Sequence, residues 1–161
     1  MSAGTPEPGA PSPRVGGHPV PHRPSVDPAA PPDWDLMLAL MGAGYADDGV
    51  STALDWVAAA AAAGGRVQVW ACGYATLLTQ RALGRTKPRN AMDWDAEHLT
   101  TATWATDLLA RHPGSVRWLA CRFCSDERGA VDHVPAVRVR PAMSFGRHVA
   151  ESAKTVFVGV I

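Results

Sequence analysis

Apolar runs of strand length alternate with stretches of helical spacing over most of the chain. Each run is short and ends in glycine, cysteine or polar residues, which is typical of strands buried on both faces. The predicted strands are 35–42, 66–72, 115–121, 134–139 and 154–161. The predicted helices are 52–63, 73–83, 94–111 and 144–153, with a polar loop at 84–93. Because strands separated by helices pair in parallel, this pattern predicts a three-layer α/β sandwich of about five mostly parallel strands with helices on both faces.

The start of the chain has a different composition from the rest. Ten of the fourteen prolines lie in residues 1–32, with almost no apolar periodicity. Such a segment cannot bury enough apolar surface to offset the entropy lost on ordering. We therefore predict a disordered Pro-rich tail over 1–33 and one α/β domain over 34–161, a length that suits a single core.

Charge and cysteine content narrow the classes of function. Fifteen basic and fifteen acidic residues give a formal net charge of zero, so no bulk field favours nucleic acid or an anionic membrane as a partner. No segment approaches the roughly 20 apolar residues of a membrane span, and a signal-peptide pattern is missing. Three cysteines without a secretion signal favour a reducing cytoplasm and thiol or metal chemistry over a disulfide framework.

Reactive groups are most concentrated where the third predicted strand ends in Cys121, followed three residues later by Cys124. Cys72 also closes a predicted strand, so both strand-end cysteines should lie at the carboxyl edge of the sheet, where sites of such folds collect. Backbone N–H groups at the start of a helix favour the thiolate of Cys121. Cys124 is spaced to resolve a persulfide or mixed disulfide formed on Cys121.

A resemblance to a known family is carried by the segment 117–130, RWLACRFCSDERGA. It is similar to the cysteine motif of the DsrE/DsrF-like sulfur-relay proteins, which include the TusD-type subunits. In that motif a cysteine ends an apolar strand and is followed by six residues, Arg-Gly and an apolar position. Here those positions are Cys121, Arg128 and Gly129, followed by alanine. The resemblance covers about residues 35–161.

This resemblance implies a five-stranded DsrE-like fold, a homo-oligomer (trimer or hexamer) and a role in sulfur handling. The implied protein is a cysteine persulfide carrier or a sulfurtransferase subunit of a sulfur relay. Its partners are sulfur donor and acceptor proteins or thiols, and it needs no cofactor and no metal. The resemblance makes Cys121 the persulfide-bearing residue, and Arg128 and Gly129 match the turn or helix that follows. Cys124 is an extra thiol relative to that motif, and its spacing suits it to release or protect the sulfur.

Other interpretations of the cysteine pair stay open. The pair is half of a zinc site that Cys72, His112 or His133 would complete, although a second closely spaced ligand pair is missing. A thioredoxin-like dithiol protein would carry the pair early in its fold, whereas here the pair comes late. A non-catalytic oligomeric subunit would use the sheet edge and exposed tryptophans as a contact surface. Taken singly, Cys72 is typical of a core thiol, and His133 and His148 are typical of hydrogen-bonded edge residues.

Overall fold

The computed structural model describes residues 32–42, 49–90 and 93–159. The predicted tail lies outside these residues except for its last two positions, so its extent stays a prediction. The strands are β1 (Trp34–Met41), β2 (Val67–Ala71), β3 (Thr86–Asn90), β4 (Asp93–Leu99), β5 (Val116–Cys121), β6 (Val137–Arg140) and β7 (Ser152–Gly159). The helices are α1 (Gly49–Ala62), α2 (Thr101–Arg111), α3 (Arg122–Glu127) and α4 (Phe145–Ala150), and 3-10 turns span Gly73–Thr79, Arg81–Leu83 and Ala142–Ser144.

Five strands form one parallel sheet in the order β6-β5-β2-β1-β7. This confirms the predicted α/β class and its parallel pairing. Strands β2 and β5 are neighbours, and their last paired residues are Ala71 and Ala120. Because parallel neighbours end at the same edge, the residues that follow these two positions, Cys72 and Cys121, are brought side by side.

One face of the sheet is covered by α1 and α2. Leu38 and Val69 of the sheet pack in a common core with Val57 of α1 and Leu108 of α2, and all four are essentially inaccessible to solvent. These apolar positions alternate along the strands with residues that point the other way, as the period of two requires. Burial on both faces explains why the three central strands β1, β2 and β5 are nearly continuous apolar runs. The edge strands β6 and β7 contain more polar residues and are partly exposed.

The opposite face is covered by α3 and α4. Its core contains Met37, Trp70 and Leu119 together with two thiols, Cys121 and Cys124. The ring of Phe145 at the start of α4 packs edge-on against Trp70, with ring centroids 5.3 Å apart. The cysteine turn is therefore part of a packed core and is held in place by the sheet beneath it.

A β-hairpin replaces the predicted polar loop and the first part of the predicted helix 94–111. Strands β3 and β4 pair antiparallel, and α2 begins only at Thr101. The physical reason is Thr100, whose extended backbone and side chain form an N-cap: its hydroxyl accepts from the Thr103 N–H at 3.2 Å. A threonine stabilises a helix start more than a helix interior. The prediction of a helix over 94–100 was wrong.

Smaller corrections concern the ends of other elements. The predicted helix over 73–83 consists of two 3-10 turns. The predicted helix over 144–153 ends at Ala150, because Ser152 already pairs with Trp34 in the sheet. The last two residues of the chain lie outside the described residues. None of the helices in the described ranges is long and apolar enough to cross a membrane.

A polar network lies on the α4 face of the sheet, at its amino edge near the starts of β2 and β5. Gln68 is fully buried; its amide nitrogen donates to the backbone oxygen of His148 at 2.8 Å and to the hydroxyl of Ser152 at 2.6 Å. Its amide oxygen accepts from Arg117 Nε at 3.1 Å and Nη2 at 2.6 Å. Arg117 also donates to Glu151 at 2.8 Å. The network thus ties β2 and β5 to the segment between α4 and β7.

His148 belongs to this network and not to the cysteine turn. Its Nδ1 lies 3.1 Å from both Arg117 Nη2 and Glu151 Oε2. Burial lowers the pKa of His148 in spite of the opposing charge of Glu151, which favours the neutral ring. The contacts therefore give His148 a structural position at the edge of the sheet opposite the cysteines.

Candidate functional site

Three thiols meet at the carboxyl edge of the sheet. The sulfurs of Cys72, Cys121 and Cys124 all lie within 4.8 Å of one another, and those of Cys72 and Cys124 are 3.3 Å apart. Cys121 and Cys124 are buried, whereas Cys72 is half-buried. The prediction that the strand-end cysteines share one edge is confirmed. The local sequence of Cys72 is typical of a core thiol, but the structure places this residue in the cluster.

Cys72 and Cys121 are adjacent because β2 and β5 are adjacent, and Cys124 reaches them from one turn along α3. Beyond Cys72 the chain turns at Gly73, whose φ of +60° is in the left-handed region. A Cβ at Gly73 would lie 3.1 Å from the backbone nitrogen of Gly42. The turn also directs the Gly73 N–H at the sulfur of Cys124. Glycine is therefore needed here both for its backbone conformation and for space.

A Gly73→Ala variant is expected to lose about 2 kcal/mol of unfolding free energy, since it combines left-handed strain with a tight contact. The matched control is Gly64→Ala. Gly64 also has a positive φ, of +85°, but a Cβ added there would meet no atom within 4 Å. That control should cost only about 1 kcal/mol. Chemical denaturation measures the unfolding free energy of both variants. Equal losses would show that the close contact at Gly73 does not affect stability.

The three thiols differ in acidity. Burial acts against the thiolate of Cys124, but hydrogen bonds from the Gly73 N–H and from the Cys72 and Cys121 thiols, together with the charge of Arg128, outweigh it and lower its pKa. The donors and the positive charge around Cys124 therefore stabilise its thiolate more than burial destabilises it. Of the three sulfurs, this one is the best placed to be a nucleophile near neutral pH.

The other two thiols hold their protons more tightly. Burial is the main reason that the pKa of Cys72 rises from 9.0 to about 12, and its hydrogen bond to Cys124 adds to the rise. Burial also raises the pKa of Cys121, although the Cys124 N–H, at the first turn of α3, acts in the opposite direction. The predicted effect of the helix start on Cys121 is thus present but smaller than the effect of burial. Cys72 is suited to donate its S–H to the sulfur of Cys124.

Arg128 and Gly129 follow α3 as the motif implies. The guanidinium of Arg128 lies 2.9 Å from Glu127, 3.5 Å from the backbone oxygen of Cys124, and 4.8 Å from the ring centroid of Tyr74. Gly129 has a φ of +66°, which is the usual glycine conformation after the end of a helix. These positions put a positive charge beside Cys124 and turn the chain back toward the sheet.

His133 lies next to α3 but is engaged with other partners. Its Nδ1 is 2.9 Å from the hydroxyl of Thr79 and 3.0 Å from the amide nitrogen of Gln80. Its Nε2 is 3.2 Å from the hydroxyl of Ser125. Burial lowers the pKa of His133. The ring therefore joins α3 to the 3-10 segment as a neutral hydrogen-bonding group, in keeping with its interpretation as an edge residue.

Comparison with known proteins bears on the fold. The chain matches no protein-family profile and no curated protein. Among solved structures it is similar to the crystal structure of the ychN protein from E. coli, with a TM-score of 0.59. The two share 14% identity over 76% of this chain and 98% of that chain. The ychN protein has a DsrE-like fold, and this chain has the same five-stranded parallel α/β architecture. Likeness at this identity shows the fold and leaves function to be argued from the site.

Proposed function

We propose that this protein handles sulfane sulfur, as a cysteine persulfide carrier or as a sulfurtransferase subunit of a relay. The observation that carries the proposal is the cluster of Cys72, Cys121 and Cys124, with sulfurs within 4.8 Å of one another at the carboxyl edge of a DsrE-like sheet. A thiolate beside further thiols can both take up sulfur and pass it on, since each step is an exchange between a thiolate and an S–S bond.

Loading begins with attack by a cysteine thiolate on the outer sulfur of a donor persulfide. A new S–S bond forms, the bond between that outer sulfur and the donor breaks, and the donor leaves as a thiolate. The cysteine then carries the persulfide, and an acceptor thiolate removes the outer sulfur by the same exchange. The motif resemblance assigns the persulfide to Cys121. The donors around Cys124 favour this residue as the first thiolate, and we propose that sulfur enters there and exchanges with Cys121.

The environment of the cluster supports uptake from a partner. Arg128 supplies a positive charge that acts on the sulfur of Cys124, and the Gly73 N–H is directed at the same sulfur. Phe123, which precedes Cys124 in α3, is 61% exposed, and Tyr74, beside Gly73, is 52% exposed. Exposed aromatic rings are typical of protein contact surfaces. We propose that a donor or acceptor protein, or another copy of the chain in a trimer or hexamer, contacts this rim.

Intact-mass spectrometry after anaerobic incubation with a small-molecule persulfide tests the proposal. The wild type is expected to gain the mass of one sulfur atom, and the gain should disappear on reduction. Cys124→Ser should abolish most of the loading, whereas Cys121→Ser should still load on Cys124. The cysteine-free triple variant is the control for non-specific uptake.

Two contrary results have different meanings. Loading that depends on Cys121 and not on Cys124 would support the motif-based assignment and overturn the order of attack proposed above. Equal sulfur uptake by the wild type and the cysteine-free variant would refute sulfur handling at this cluster.

A further inference from the structure

The thiol cluster also has the dimensions of a binding site for a soft metal ion. Three sulfurs bound in a plane to one ion, each at about 2.3 Å, lie roughly 4 Å from one another. In the structure all three sulfurs lie within 4.8 Å of one another, with one pair at 3.3 Å. Shifts of about 1 Å or less would bring the three sulfurs to that geometry, within the range of a side-chain adjustment.

The number of ligands distinguishes between metals. Within the described ranges, no histidine, aspartate, glutamate or further cysteine joins the three thiols. Of the histidines that a zinc site would require, His133 has both ring nitrogens within hydrogen-bonding distance of other partners. His112 caps the end of α2, where the chain leads into the start of β5 at the other edge of the sheet. A structural zinc site closes with four ligands, and the cluster offers three.

We propose that Cys72, Cys121 and Cys124 form a trigonal thiolate site for Cu(I). Soft thiolates favour Cu(I), zinc and iron–sulfur clusters. Structural zinc sites and these clusters usually take four protein ligands, whereas Cu(I) is stable with three sulfur ligands. Binding releases the thiol protons to solvent and involves no change of oxidation state. The two buried thiols exclude water from the ion, while half-buried Cys72 leaves a side from which a thiol-bound copper ion can approach. The charge of Arg128 beside Cys124 partly offsets the negative charge of the complex.

The test is an anaerobic titration of the reduced full-length protein with Cu(I) in competition with a chromophoric Cu(I) chelator. One ion per chain is expected, with three sulfur ligands in the X-ray absorption spectrum of the wild type. Each of the variants Cys72→Ser, Cys121→Ser and Cys124→Ser should weaken binding by more than about 100-fold, the upper end of the loss caused by removing an outer-shell partner. His133→Gln is the matched control and should bind as the wild type does.

Several results would overturn the site. These are a nitrogen or oxygen ligand in the wild-type spectrum, wild-type affinity in Cys72→Ser, or displacement of Cu(I) by equimolar Zn²⁺. The X-ray absorption spectrum of the wild type identifies the ligands of the ion even if a variant fails to fold. The inference stands apart from sulfur handling, because metal-free protein is used for sulfur loading. Protein that loads sulfur but binds no Cu(I) refutes only the copper site, and the converse refutes only the sulfur proposal.

Discussion

An Arg117→Met variant is expected to lose about 3 kcal/mol of unfolding free energy. Arg117 supplies both hydrogen bonds to the amide oxygen of Gln68, which has no exposure to solvent. It also pairs with Glu151 and stacks on the ring of Trp34, with its guanidinium carbon 4.3 Å from the centroid. Methionine preserves most of the stem but leaves the buried Gln68 oxygen without its donor. It also removes the nearest cation from the partly buried carboxylate of Glu151, which keeps only His148 and the more distant Arg147. Removing one partner of a buried, hydrogen-bonded ion pair costs about 3–5 kcal/mol.

Chemical denaturation followed by circular dichroism measures this loss. Arg138→Met is the matched control, because Arg138 lies on the neighbouring strand β6 and is exposed. It should change the unfolding free energy by less than about 0.5 kcal/mol. Similar losses in the two variants would mean that the network contributes no more than a surface charge does.

Much of the sheet was predictable because its three central strands are buried on both faces. The run Val67–Ala71 is almost wholly apolar, and all five of its residues are buried. Such runs leave few alternatives to a central parallel strand. The strand-end positions of Cys72 and Cys121 then followed from the pattern alone, and so did their common edge.

The hairpin of β3 and β4 could not be predicted in the same way. Its first segment is polar and is interrupted by Pro88, so it has no strand pattern. The second segment does alternate polar and apolar residues over 93–97, which is a strand signal, but the prediction followed the helical spacing of the leucines from Leu99 onward. The two strands pair within a short stretch of chain, from Asn90 with Asp93 to Thr86 with Leu99, but whether such polar segments become strands depends on their surroundings more than on their own propensity. The start of α2 did have a local signal, since Thr100 and Thr103 have the spacing of an N-cap and its partner.

The position of the candidate site could be predicted from the sequence, but the relative acidities of its three thiols could not. Spacing identifies Cys121 and Cys124 as a pair, and the family motif singles out Cys121. That Cys72 lies 3.3 Å from Cys124 depends on the order of β2 and β5 and on the left-handed turn at Gly73. Which thiol ionises first depends on burial and on donors from three separate segments, and sequence spacing encodes neither.

Replacing Cys72 by alanine is expected to slow the alkylation of Cys124 at neutral pH by about tenfold, because the thiolate is the reactive form and the variant loses one of its donors. Cys72 keeps its proton because its pKa is raised to about 12, so it can donate to the Cys124 sulfur at neutral pH. This donation is one of the interactions that lower the pKa of Cys124. Without it, the thiolate form becomes populated only at higher pH, and the midpoint of the rate profile should move to the alkaline side.

Cys72→Ser separates the hydrogen bond from the sulfur atom. A serine hydroxyl also donates to a thiolate, so the rate profile of Cys124 should stay close to that of the wild type, whereas alanine should shift it. Iodoacetamide labelling across a range of pH, with the modified cysteine identified by peptide mass spectrometry, gives the profile of each thiol. If alanine and serine have the same effect, the hydrogen bond from Cys72 does not set the acidity of Cys124. The role of Cys72 would then be limited to sulfur exchange or metal binding, for which serine cannot substitute.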